Sequence, residues 1–179
     1  METAAELLFV ASPLGELGIA ASERAVTGLF FGRELPAVLA EAQIVGYGAA
    51  SPLLREAAGQ IEAYFAGVRR EFTLPLELQG TPFQQEVWEA VRRIPYGEVR
   101  SYARIAAEIG RPGASRAVGM ANHRNPAVIL VPCHRVVGSD GSLTGYAGGL
   151  EAKRLLLELE RDNRCDEGAR TALPKETLF

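Results

Sequence analysis

The sequence predicts two unlike halves: an α/β unit with a small β-sheet and one packed helix, then a mainly α unit carrying a helix-turn-helix of winged-helix-like type. Three observations lead there. Short β-branched and aromatic runs separated by turn residues fill the first thirty or so positions, and one amphipathic helix follows them. From residue 81 the apolar residues recur at helical spacing. Between Ser101 and Asn122 two short helical segments flank Gly110-Arg111-Pro112-Gly113, which is turn chemistry. The expected boundaries are 1–78 for the α/β scaffold, 79–161 for the second unit and 162–179 for a loosely ordered tail.

In the first unit, Leu7-Leu8-Phe9-Val10 and Leu17-Gly18-Ile19-Ala20 read as strands split by Ser12-Pro13-Leu14-Gly15. Val26-Thr27-Gly28-Leu29-Phe30-Phe31 reads as a third, ending at Gly32. Ala37–Ala50 reads as a helix and then a loop. Ser51-Pro52 starts a helix, with serine at the N-cap and proline at the first helical position. Leu53, Leu54, Ala57, Ala58, Ile61, Tyr64 and Phe65 form its apolar stripe, and Gly67 ends it. The expected product is a three-stranded sheet with a helix on it. This half holds no histidine and no cysteine, so it is expected to contribute no catalytic residue.

Leu74–Gly80 reads as a linker. Thr81-Pro82-Phe83-Gln84 repeats the cap-plus-proline signal and closes a capping box, followed by a stripe of Phe83, Val87, Trp88, Val91 and Ile94. Ser101 caps a helix with Tyr102, Ile105, Ala106 and Ile109. The segment Ala114–Asn122 makes a second helix, mostly of small residues, with Arg116 projecting from it. Ile129-Leu130-Val131 reads as a buried strand stopped by Pro132. Gly145–Gly149 is a glycine-rich loop without the lysine of a phosphate-binding loop, better suited to letting a flat ligand approach backbone. Leu150–Glu160 reads as a last helix, with Leu150, Leu155, Leu156 and Leu159 inward and Glu160 at its final turn, where a carboxylate is unfavourable to the helix dipole.

Charge is unevenly placed. The chain is −3 overall, yet the segment Arg92–Arg135 holds eight arginines against Glu98 and Glu108. A basic face on an acidic protein is the footprint of nucleic-acid binding, and arginine suits phosphate and base contact better than lysine does. The alternative is a solvated face with pairs such as Arg104–Glu108. No basic leader followed by an apolar stretch opens the chain, and no apolar run approaches the ~18 residues of a membrane span. Only two cysteines are present, Cys133 and Cys165, too few for a disulfide framework. A reduced, cytoplasmic setting is therefore expected.

Cys133 and His134 follow Pro132 directly. A cysteine beside a base is a candidate nucleophile, though a free cysteine is more often a small apolar core residue, and the pair alone favours that reading. Cys133, His134, His123 and Cys165 are the only soft metal ligands, and their spacing matches no metal-site pattern, so no metal and no cofactor are expected. A cysteine protease or acyl transferase needs an oxyanion hole and a distant histidine, for which only His123 is available.

Pro132-Cys133-His134-Arg135-Val136, preceded by Ser115-Arg116-Ala117-Val118-Gly119 and Asn125-Pro126 and followed by Tyr146-Ala147-Gly148-Gly149-Leu150, resembles the O6-alkylguanine-DNA alkyltransferases. The resemblance runs from about Thr81 to Arg161; the first half resembles that family's N-terminal domain more loosely. It implies DNA repair by direct damage reversal. The protein would bind double-stranded DNA through the minor groove as a monomer, flip out the alkylated guanine, and move the O6-alkyl group irreversibly onto a cysteine.

By position, Cys133 resembles the nucleophile, His134 the base that acts through a water, and Glu160 the carboxylate that orients it. Asn125 resembles the residue bridging the helix-turn-helix and the active-site segment. Tyr102 resembles the tyrosine that donates to the flipped base, and Arg116 the arginine that fills the vacated stack. Tyr146 and Gly148 would line the pocket, with Val136 backbone reading the guanine amino group. Ser115, Ala117, Gly119 and Arg124 are counted with the DNA-contacting set, as is Arg135, for which structural support is the other role. Ala147 stands where many relatives have serine, which puts substrate range in question, and the first half lacks the zinc ligands some relatives carry. Two rival readings remain: a lesion-binding relative without transfer activity, in which the cysteine is commonly replaced, and a helix-turn-helix regulator with a structural cysteine.

Overall fold

The computed structural model describes residues 5–32 and 36–171, side chains excepted at 38 and from 165 on. Strands β1 (Glu6–Ser12) and β2 (Gly15–Ala21) form an antiparallel hairpin in which Ser12 pairs with Gly15. Gly15 takes φ 95°, which glycine adopts without steric cost. Strand β3 (Val26–Phe31) pairs antiparallel with β2. The sheet has a fourth strand that the sequence reading did not expect: β4 (Gln43–Ile44) lies parallel to β1, giving the order β3-β2-β1-β4. Within Ala37–Ala50, a 3-10 turn at Ala37–Leu39 and this strand replace the expected helix and loop. Strand β4 arises from pairing, since Gln43 and Val45 donate to the Ala5 and Leu7 carbonyls at 2.8 and 2.9 Å, and its own residues carry no alternating pattern.

Helix α1 (Pro52–Phe65) is capped by Ser51 and lays Leu54, Ala57, Ala58, Ile61 and Tyr64 on the sheet. Helix α2 (Pro82–Arg92) starts with the expected capping box between Thr81 and Gln84. Strand β5 (Arg100–Ser101) leads into α3 (Tyr102–Glu108), capped by Ser101, and a turn leads into α4 (Ser115–His123). The Trp88 indole N–H donates to the Ala121 carbonyl at 2.9 Å and pins α2 beneath α4. Strand β6 (Val136–Val137) runs parallel to β5, and α5 (Gly149–Thr171) closes the described chain.

Three further expectations are corrected. Residues 129–131 are not a strand but a tight turn: Ile129 has φ 71°, Leu130 N–H donates to Val128 at 2.8 Å, and Val131 N–H to Ala127 at 2.8 Å. Its aliphatic side chains serve burial, and the backbone closes on itself. Helix α5 continues to Thr171, so Glu160 lies mid-helix and the dipole argument does not apply, while the expected tail begins inside the helix. The thiol of Cys165 lies outside the described residues. The inward face of α5 is also different: Ala152, Lys153, Leu156 and Glu160 are buried, whereas Leu150 and Leu155 are exposed. Satisfied polar anchors at Lys153 and Glu160 set the helix rotation.

One core cluster contains Leu29, Ile61 and Tyr64 from the first half together with Val91, Ile105, Val131 and Leu156 from the second. Backbone bonds join them too. Leu29 N–H donates to Pro126 and Val128 N–H to Leu29, both at 2.9 Å, so the segment leading to Cys133 is stitched to β3.

Candidate active site

Cys133 opens a 3-10 turn, Cys133–Arg135, held between the Ile129 turn and β6. Its N–H donates to Val131 at 2.7 Å. Asn125 shapes the approach: its amide donates to the Val131 carbonyl at 2.9 Å and its oxygen accepts from Ala127 N–H at 2.9 Å. Both partners belong to the segment that leads from α4 to Cys133, so Asn125 fixes the course of that segment. Asn122, on α4, donates to the Cys133 carbonyl at 3.2 Å.

Cys133, His134 and Arg135 all lie buried on this turn. His134 Nε2 sits 2.7 Å from Glu160 Oε1. Arg135 donates through Nη2 to Oε1 and through Nε to Oε2, both at 2.9 Å, and through Nη1 to the Ile94 carbonyl at 2.6 Å. Gly97 N–H donates to Oε2 at 3.0 Å, and the Tyr64 hydroxyl to Oε1 at 2.7 Å. The side chain of Glu160 is therefore inaccessible to solvent and surrounded by donors. Burial alone would raise its carboxyl, but the hydrogen bonds and charges of His134 and Arg135 hold it well below the usual carboxylate range.

An ionised carboxylate only accepts, so the Nε2 of neutral His134 carries the hydrogen and Nδ1 carries the lone pair. Burial, partly offset by Glu160, lowers the imidazole pKa, which keeps the ring neutral near pH 7. Nδ1 is buried and has no protein hydrogen-bond partner. Burial pushes the Cys133 thiol up to about 11, with hydrogen bonding from Asn125 and the charge of Lys153 working the other way. Near pH 7 Cys133 is therefore a thiol, and it would have to lose that proton to react as a nucleophile.

A second group faces outward. The exposed residues of α4 include Arg116, Ala117, Met120 and His123, with Val118, Ala121 and Asn122 inward. Tyr102, Ser115, Arg116, Gly119, His123, Thr144 and Gly145 line a hollow of about 380 Å³ between the helix-turn-helix and the glycine loop. Thr144 Oγ1 donates to the Tyr102 hydroxyl oxygen at 3.2 Å. Behind the glycine loop, Tyr146 is buried and packs edge-on against Phe31. Gly148 approaches the same ring so closely that a Cβ there would lie 2.6 Å from it. Ala147, Arg124 and Asn125 line a separate cavity of about 340 Å³ with Thr27, Phe30 and Phe31 of β3.

The basic segment is narrower than its composition suggests. Arg92 and Arg93 pair with Glu89, Arg100 with Glu98, Arg104 with Glu108, Arg111 with Glu86 and Arg135 with Glu160. Three of those acids lie outside the segment, which is why a local count overstated its charge. Among the described residues, Arg116 and Arg124 have no carboxylate partner. Arg135 turns inward, which assigns it to the support of Glu160 and removes it from the DNA-facing set.

A model of the DNA-binding domain of 6-O-methylguanine DNA methyltransferase matches residues 82–162, and one of that protein's ribonuclease-like domain matches residues 8–78. A constitutive methylated-DNA–protein-cysteine methyltransferase of Bacillus subtilis (strain 168) is 53% identical over 151 residues, spanning 84% of this chain and 92% of that one. The chain belongs to the methylated-DNA–protein-cysteine methyltransferase family. A relative of that name from Methanosarcina barkeri is 48% identical over 159 residues, 86% of this chain and 96% of the other. Among solved structures, Mycobacterium tuberculosis OGT in complex with DNA superposes with a TM-score of 0.81 at 46% identity, covering 88% of this chain and 94% of that one. The fold is that of the family: a small N-terminal sheet unit of the ribonuclease-like kind and a helical C-terminal DNA-binding unit.

Three residues of this methyltransferase-family site escaped the sequence reading. Tyr64 was absorbed into the apolar stripe of α1. Gly97 has no side chain to signal the N–H it lends to Glu160. Lys153 is fully buried, and its ammonium donates to the Val136 carbonyl at 2.6 Å and the Thr144 carbonyl at 2.9 Å. Its spacing from Leu156 and Glu160 places all three on one helix face, a signal the leucine pattern obscured.

Proposed function

We propose that the protein repairs O6-alkylguanine in double-stranded DNA by transferring the alkyl group to Cys133, once per molecule. The observation that carries this reading is the commitment of His134 Nε2 to an ionised Glu160, which leaves a buried, unpartnered Nδ1 as the base on the residue that follows Cys133 in the chain. As Sγ bonds to the alkyl carbon, the carbon–O6 bond breaks and its electron pair goes to the guanine. The thiol proton passes to His134 Nδ1 through a bridging water, and Tyr102 supplies a hydrogen bond or proton to the departing base. A soft sulfur nucleophile suits an alkyl carbon on an aryl ether oxygen, and the thioether it forms is stable.

The DNA-facing set is Arg116, Ser115, Ala117, Gly119 and Arg124. Small residues on α4 allow its backbone close to the minor groove, and Arg116 enters the stack vacated by the flipped nucleotide. Tyr146, Ala147, Gly148 and the Val136 backbone form the base pocket. The protein acts as a monomer in the cytoplasm, and no described helix is long and apolar enough to cross a membrane. Peptide mapping after reaction with a duplex bearing an isotope-labelled O6-methyl group tests the assignment. The label is expected on the peptide containing Cys133; label on another residue contradicts it.

A further inference from the structure

The Tyr64 hydroxyl is a polar group on the largely apolar buried face of α1, which also carries Gln60. Its ring packs against Phe65 and Phe72 at 5.4 Å and Tyr96 at 6.0 Å between centroids, contacts that a phenylalanine would make equally well. The hydroxyl instead reaches across from the first half, donating to Glu160 Oε1 at 2.7 Å while its oxygen lies 3.5 Å from His134 Nε2. A buried hydroxyl costs stability unless it is bonded, so this one is held for its partner.

We infer that Tyr64 is a positioning residue of the transfer reaction: through Glu160 it governs how strongly the His134 ring is held and how readily that ring takes the thiol proton. The inference rests on the proposed role of Cys133 and His134. Oε1 accepts from three donors: Tyr64, His134 and Arg135. Each donor draws on the same negative charge. The Tyr64 share weakens the pull of Glu160 on the imidazole and keeps His134 neutral, with Nδ1 free, to lower pH. The other charged or titratable groups around His134 are Cys133, Arg135, Tyr146, Lys153 and, through Glu160, Tyr96. Burial, reinforced by Glu160, raises the Tyr64 pKa well above 10, so the hydroxyl stays protonated and donates throughout the working range. The first half thus takes part in setting the base, where its sequence suggested a scaffold alone.

The test compares Tyr64→Phe with Ile61→Val, a conservative core change one turn earlier on α1, by two readouts. One is the single-turnover rate of methyl transfer from an O6-methylguanine duplex as a function of pH. The other is the nitrogen NMR titration of the His134 imidazole. Removing the hydroxyl leaves more of the carboxylate charge to His134, stabilises the imidazolium and raises its pKa. The acid limb of the rate profile and the imidazole titration are expected to move up together by about half to one unit in Tyr64→Phe. Neither moves in Ile61→Val. A Tyr64→Phe titration that coincides with wild type, or an equal shift in Ile61→Val, overturns the inference. If wild type transfers no methyl group, the proposed reaction fails, and the NMR arm still decides the role of Tyr64.

Discussion

Arg135 grips Glu160 as a fork, Nη2 on Oε1 and Nε on Oε2, each at 2.9 Å, with both side chains almost wholly removed from water. Breaking a buried pair by neutralising one partner strands the other charge. Glu160→Gln is therefore expected to lower stability by about 3–5 kcal/mol and to abolish efficient transfer, since Arg135 and His134 lose one anchor together. Urea unfolding measures the first effect; a loss under about 1 kcal/mol contradicts the account.

Acid has a signed consequence for the same pair. The titrations of Glu160 and His134 are both depressed in the folded protein, so between folded and unfolded pKa values the unfolded chain binds more protons. Their stabilisation is present above the unfolded values, about 6.5 for histidine and about 4.3 for glutamate, and is lost as pH falls below each. The urea midpoint is expected to decline on acidification in two stages, and Glu160→Gln is expected to lack the lower one. A midpoint that rises below about pH 6 contradicts this.

Lys153 ties β6 to the glycine loop through two carbonyls. Lys153→Met keeps most of the volume and leaves Val136 and Thr144 unsatisfied, at an expected cost of about 2–4 kcal/mol. Because Thr144 also touches Tyr102, the base pocket should loosen, slowing transfer by about tenfold or more. Unchanged stability together with an unchanged rate excludes the tether.

Arg116 and Arg104 sit in the same helix-turn-helix with different prospects. Arg104 is spoken for by Glu108 at 2.8 Å, whereas Arg116 has no carboxylate partner among the described residues. Arg116→Ala is expected to slow repair in duplex DNA by about ten- to a hundredfold, and Arg104→Ala by far less. Transfer from a free O6-alkylguanine nucleoside, which needs no flipping, should survive Arg116→Ala. Equal losses on both substrates place Arg116 in the chemistry instead.

Local signals were legible and long-range ones were not. The caps at Ser51, Thr81 and Ser101 are read from neighbouring residues, so the helices they start stand where expected. Cys133 and His134 stand out as an adjacent pair, but the pair alone reads as core, and their roles, like that of Asn125, come only from the resemblance carried by the surrounding motifs. Strand β4 was not, since its pairing with β1 is made from about forty residues away. The turn at Ile129 was misread because β-branched residues mark burial as well as strand, and only the backbone angle separates the two. Lys153 and Tyr64 were hidden for opposite reasons: a lysine on a helix reads as solvated and a tyrosine in an apolar stripe reads as core. In each case the partner that overrides the reading comes from another element.

The most direct measurement is the intact mass of the protein after incubation with an oligonucleotide duplex holding one O6-methylguanine, beside a Cys133→Ala control. The account predicts one added methyl group on the wild type, saturating at one per molecule, and none on the control. Tight binding to the damaged duplex without any mass change would contradict it and leave a lesion-recognition protein.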